Sequence, residues 1–74
     1  MPMTDRQAKA QRIYNDRCEQ ILREGYFLKK ISVGINIDWV RLVHINGNVV
    51  TIFYDKKDCT VFQRTNGRLV WQYH

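Results

Sequence analysis

No stretch of this sequence approaches the roughly 18 consecutive apolar residues that a membrane-spanning helix requires, and the opening Met1-Pro2-Met3-Thr4-Asp5 lacks the apolar centre of a secretion signal. A cytosolic protein without a membrane partner is the expectation. In that compartment the two cysteines, Cys18 and Cys59, read as reduced thiols rather than as a bridge. Proline occurs once and glycine four times, so no linker, repeat or low-complexity segment divides the chain. A chain of 74 residues buries only about 60% of the surface it exposes when unfolded. One domain spanning residues 1–74 with one modest core follows, and no deep cleft between lobes is expected.

The usual marks of catalysis and of cofactor binding are also missing. There is no Gly-rich phosphate loop, CxxC, HExxH or GxSxG, and neither an RRM-type aromatic signature nor a zinc-finger spacing. Cys18, His44, Cys59 and His74 add up to two sulfurs and two nitrogens, but they are spread along the chain without the short pairs that structural zinc sites use. Neither a metal nor a small-molecule cofactor is expected. Ser32, the single serine, has His44 and Asp38 as nominal triad partners and no elbow to present it. The acids and bases of Asp55-Lys56-Lys57-Asp58 suit a metal-dependent nuclease on paper, yet the order of residues is that of a polar hairpin turn. The chain therefore reads as non-enzymatic, with no catalytic residues assigned. A metal-independent ribonuclease working through Arg41, Arg64, Arg68, Tyr73 and His74 is the lesser alternative.

What the sequence does contain is one helix signal followed by strands. Thr4-Asp5-Arg6-Gln7 has the Thr-x-x-Gln form of a capping box. Ala10, Ile13, Tyr14, Cys18, Ile21 and Leu22 then recur at helical spacing, with Asp5 to Lys9 and Glu19 to Arg23 as acid-before-base pairs on the polar side. Gly25 stands where a left-handed cap would close the helix. The spacing predicts a helix over 4–24 and strands over 26–33, 39–45, 49–54, 59–65 and 69–73. Asn46-Gly47 and Asn66-Gly67 are strong hairpin signals, and the short connections predict strands paired in chain order. The fold class is α+β: one N-terminal helix on a four- to five-stranded antiparallel meander, with a small, partly closed barrel as the alternative.

Two-residue turns at both Asn-Gly pairs would set the registers. The last hairpin would then place Thr60, Phe62, Arg64, Leu69, Trp71 and Tyr73 on one side, with Phe62, Leu69 and Trp71 as the seat for the helix. The Asn46-Gly47 hairpin would place Val40, Leu42, His44, Val49, Thr51 and Phe53 opposite Trp39, Arg41, Val43, Ile45, Val50, Ile52 and Tyr54. Neither group is polar, and one helix covers only one side.

This surplus makes an interaction module the leading expectation, self-associating or binding another protein through an uncovered sheet face or an edge strand. Val40, Leu42, Val49 and Phe53 are its candidate interface residues. Charge supports the competing reading. Residues 1–25 hold five Lys/Arg against four acids, whereas residues 26–74 hold seven against three, so most of the net +5 belongs to the strands. Arg41, Lys56, Lys57, Arg64 and Arg68 are the candidate nucleic-acid contacts, with Trp39, Tyr54, Phe62, Trp71 and Tyr73 available to stack bases.

Overall fold

The computed structural model describes residues 3–74. Helix α1 (Asp5–Arg23) starts at a complete capping box: the Gln7 amide donates to Thr4 Oγ1 at 3.1 Å, and the Thr4 amide donates to Gln7 Oε1 at 3.0 Å. It ends at Glu24, after which Gly25 turns the chain with φ +94°. Glu19 and Arg23 pair at 3.7 Å on the exposed side of the last turn. No helix is long and apolar enough to cross a membrane among the described residues.

Five strands follow: β1 (Phe27–Ser32), β2 (Ile37–Val43), β3 (Val49–Asp55), β4 (Thr60–Thr65) and β5 (Arg68–Tyr73). They form one antiparallel sheet in the order β1-β2-β3-β4-β5. The sheet stays open, with β1 and β5 as its two edges, so the meander is found and the barrel is not. β2 begins and ends two residues earlier than the sequence reading placed it.

The cause lies in the turn. The His44 amide donates to the Asn48 carbonyl and the Gly47 amide to the His44 carbonyl, which makes Ile45-Asn46-Gly47 a three-residue loop. Gly47, at φ +96°, supplies the left-handed residue that such a loop needs. One extra loop residue shifts the pairing, so that Val40 meets Ile52 and Leu42 meets Val50. Val40, Leu42, Val50, Ile52 and Tyr54 consequently face the helix, while Trp39, Arg41, Val43, Val49, Thr51 and Phe53 face away from it.

The second hairpin keeps its two-residue turn, with Asn66 and Gly67 at φ +52° and +84° and Thr65 opposite Arg68. Arg64 and Leu69 pair as expected. Then a bulge at Val70 moves Trp71 opposite Gln63 instead of Phe62. Trp71 and Tyr73 join Gln63 and Val61 beneath the helix, and Phe62 and Leu69 go to the other side. Of the expected seat for the helix, only Trp71 serves.

The core consists of Ala10, Tyr14 and Ile21 from α1 against Val40, Leu42, Val50, Ile52, Tyr54, Cys59 and Val61. Polar contacts fasten the two layers. The Tyr54 hydroxyl donates to the Gln7 carbonyl at 3.2 Å, and Arg17 Nε donates to Gln63 Oε1 at 2.7 Å while its guanidinium lies 4.6 Å from the Trp71 ring. The buried Gln63 passes its own amide hydrogen to Thr65 Oγ1, so its polar atoms are not stranded.

Burial raises the Cys18 thiol from its ordinary value near 9 to about 11. It also raises the Tyr14 and Tyr54 phenols, with Cys18 and Asp38 adding to the shift at Tyr14, and Cys59 and Asp38 at Tyr54. A group whose folded pKa lies above its unfolded one binds its proton more tightly when folded. Its contribution is complete below about pH 9 and is lost as the pH climbs toward 11. The denaturation midpoint should fall across that window, and Cys18→Ala should flatten the fall. Identical slopes for the two proteins would show that Cys18 plays no part.

Candidate functional site

The side of the sheet turned away from α1 is organised in rows that cross the strands. Register places Lys30, Arg41, Thr51, Arg64 and Leu69 in one row over β1 to β5. The next row, two residues along β1 to β4 and three along β5 because of its bulge, is Ser32, Trp39, Phe53, Phe62 and Gln72. A two-residue repeat is about 6.8 Å, so a cationic row and an aromatic row lie side by side.

Each row is held in place by its own contacts. The Phe53 and Phe62 rings stack with centroids 4.7 Å apart and planes 15° from parallel. Lys30 Nζ lies 5.8 Å and the Arg41 guanidinium 5.2 Å from the Trp39 ring centroid. Arg41 and Arg64 flank Thr51, and with Lys29, Val43, Val49 and Phe53 they line an open depression of about 460 Å³. The bulge between Leu28 and Lys30 frees Lys29 from strict alternation and brings it to that depression. Trp39, Phe53 and Phe62 are all only half-buried.

Acidic groups are nearly absent from this side. Asp55 stands at its far end, opposite Ile37 and Thr60, and its Oδ1 accepts the Lys57 and Asp58 amides of the β3–β4 turn. Asp38 points to the helix side, where it is 8% exposed. Among the described residues, no carboxylate pairs with the cationic centre of the open side.

The candidate residues are divided by this geometry. Arg41 and Arg64 come together. Arg68 sits at the tip of the last hairpin opposite Thr65, on the helix side, and Lys57 is exposed on the β3–β4 turn. Lys56 is spoken for: its Nζ reaches Asp38 Oδ1 at 3.0 Å and the Gly34 carbonyl at 2.8 Å, and its amide donates to the Asn36 carbonyl at 2.8 Å. It clasps the β1–β2 loop onto the end of β3. Asp38 also accepts the Gly34 amide at 3.1 Å. A Cβ at Gly34 would meet the Ile37 carbonyl oxygen at 2.6 Å, so this clasp is built around a glycine.

Of the four interface candidates, Val49 and Phe53 remain on the open side. Val40, 8% exposed, and Leu42, 1% exposed, belong instead to the core under α1, because the longer Ile45-Asn46-Gly47 loop reverses their side. Tyr54, Trp71 and Tyr73 also lie on the helix side and leave the stacking set. The ribonuclease candidates do not converge: Arg41 and Arg64 face outward, whereas Tyr73 pairs with Val61 on the helix side, at the opposite end of β4 from Arg68. Among the described residues, no three His, Cys, Asp or Glu side chains gather into a group able to hold a metal ion. His44 accepts the Asn46 amide through Nδ1 at 3.1 Å and packs on Tyr26 at the end of the helix.

The sequence reading missed the pairing of Phe53 with Phe62 and the approach of Lys29 and Lys30 to Arg41. Only the registers of β1 with β2 and of β3 with β4 bring these residues to the site, and no Asn-Gly turn announces either one. Comparison with protein-family models, curated proteins and solved structures yields no match to this chain.

The clasp and the open side can be tested separately. Lys56→Ala leaves the buried Asp38 carboxylate without its cation and should cost about 1–3 kcal/mol in a urea titration. A loss within experimental error would refute the clasp.

Proposed function

We propose that this protein binds nucleic acid on the open side of its sheet. The observation that carries the reading is the adjacency of the two rows: Lys30, Arg41 and Arg64 one pleat repeat from Trp39, Phe53 and Phe62, on the side that α1 leaves bare. Phosphates are drawn to guanidinium and ammonium groups through long-range attraction and counterion release. Bases stack on aromatic rings whatever their identity. A side that offers both at neighbouring positions, with its one carboxylate engaged in a turn, suits a polyanion that carries flat rings.

Titration of a labelled oligonucleotide by fluorescence anisotropy tests it. Three phosphate contacts imply a log–log salt slope near −2 for a single strand, a loss of roughly tenfold to twentyfold in affinity between about 50 and 200 mM salt. Arg41→Ala with Arg64→Ala should flatten that slope and weaken binding, whereas Lys56→Ala should leave both unchanged. No binding at low salt, or a double variant that binds as tightly as the parent, ends the proposal.

A second reading rests on β1. Phe27 is 63% exposed on the open side, and Leu28 and Ile31 are 49% and 56% exposed on the helix side, where α1 packs mainly on β2, β3 and β4. An edge strand that exposes apolar side chains on both sides is suited to pairing with a second copy of itself, which would continue the sheet and cover them. Light scattering should then show a dimer that Ile31→Asp dissolves. A strict monomer at every accessible concentration would discard this second reading.

A further inference from the structure

The rows of the open side distinguish one form of nucleic acid from another. We infer that the ligand is an unpaired polynucleotide segment of about three nucleotides lying across the β-strands, phosphates over Lys30, Arg41 and Arg64 and bases over Trp39, Phe53 and Phe62. This rests on the nucleic-acid reading above and narrows it.

The length follows from the sheet. Lys30 stands on β1 and Arg64 on β4, three interstrand steps apart, or about 14 Å at roughly 4.8 Å per step. An extended strand covers that span with about three phosphates. The orientation follows from the rows, which run perpendicular to the β-strands and parallel to each other.

The requirement for an unpaired strand follows from the rings. In a duplex the bases stack on one another and pair inward, so a duplex presents phosphates to the cations and nothing to the aromatic row. An unpaired strand presents both. The rings are also ordered in advance: Phe53 and Phe62 stack on each other at 4.7 Å, leaving their outer faces for a base, and Lys30 and Arg41 lie near Trp39. Little conformational freedom is lost when a base arrives. The depression of about 460 Å³ between Arg41 and Arg64 lies within the range of small-molecule sites, roughly 300–1,000 Å³, and gives a sugar or base room beside the cations.

The test compares labelled oligo-dT, oligo-U and a blunt duplex, each about eight nucleotides long, against the unmodified protein at low salt. At least one unpaired strand should bind about tenfold or more tightly than the duplex. Shortening that strand should cost little until about three or four nucleotides remain and much below that. Phe62→Leu, which keeps the apolar volume but removes the ring, should weaken the unpaired strand about fivefold or more and leave the duplex unchanged. A duplex that binds as well as both unpaired strands overturns this inference while the broader nucleic-acid reading stands. If no probe binds, the broader reading falls with it. The strand and length comparisons decide the matter even if Phe62→Leu fails to fold.

Discussion

A single helix has to cover a sheet that is wider than it is. An α-helix with its side chains is about 10 Å across, and strands lie about 4.8 Å apart, so α1 shields two to three strands of the five and only one side of those. The rest of the molecule follows from that ratio. The core is a lane over β2, β3 and β4; β1 lies outside it and is exposed along most of its length; and the opposite side of the whole sheet has no cover. The polar fasteners stand along the same lane: Tyr54 to the Gln7 carbonyl near one end, and Arg17 to Gln63 farther along.

This geometry also separates two roles that aromatic residues compete for in a small domain. A core this limited has places for Tyr14, Tyr54 and, at its border, Trp71 and Tyr73. Phe53, Phe62 and Trp39 find their partners on the open side in one another or in nearby cations, and keep part of their surface in water.

Much of the fold could be read from local chemistry. The capping box at Thr4, the five strands in chain order and the left-handed Asn66-Gly67 turn all depend on residues close together in sequence, and each is found, with β2 displaced by two residues. The allocation of sides was not legible, because it hinges on single-residue differences in turns and bulges. Asn46-Gly47 accommodates either a two- or a three-residue loop, and the choice of three moves Val40 and Leu42 from the open side to the core. The bulge at Val70 has no sequence mark, yet it separates Trp71 from Phe62. Arg41 and Arg64 were identifiable as candidates from charge alone. Their convergence across Thr51 depends on two registers at once, and the diversion of Lys56 into a clasp depends on a loop more than twenty residues upstream in the chain.

The order of the strands bears on how the molecule assembles. With neighbours in the sheet also neighbours in the chain, each hairpin closes over a short loop and at a low entropic cost. The long closures all belong to the helix, which meets Gln63 and Tyr54 at sequence separations of 46 and 47 and Asp58 at a separation of 52. Contacts of that range are the slow ones in small domains. By loop-closure entropy alone, the local hairpins close ahead of the helix's contacts with the sheet, which places the open side before the sealed core.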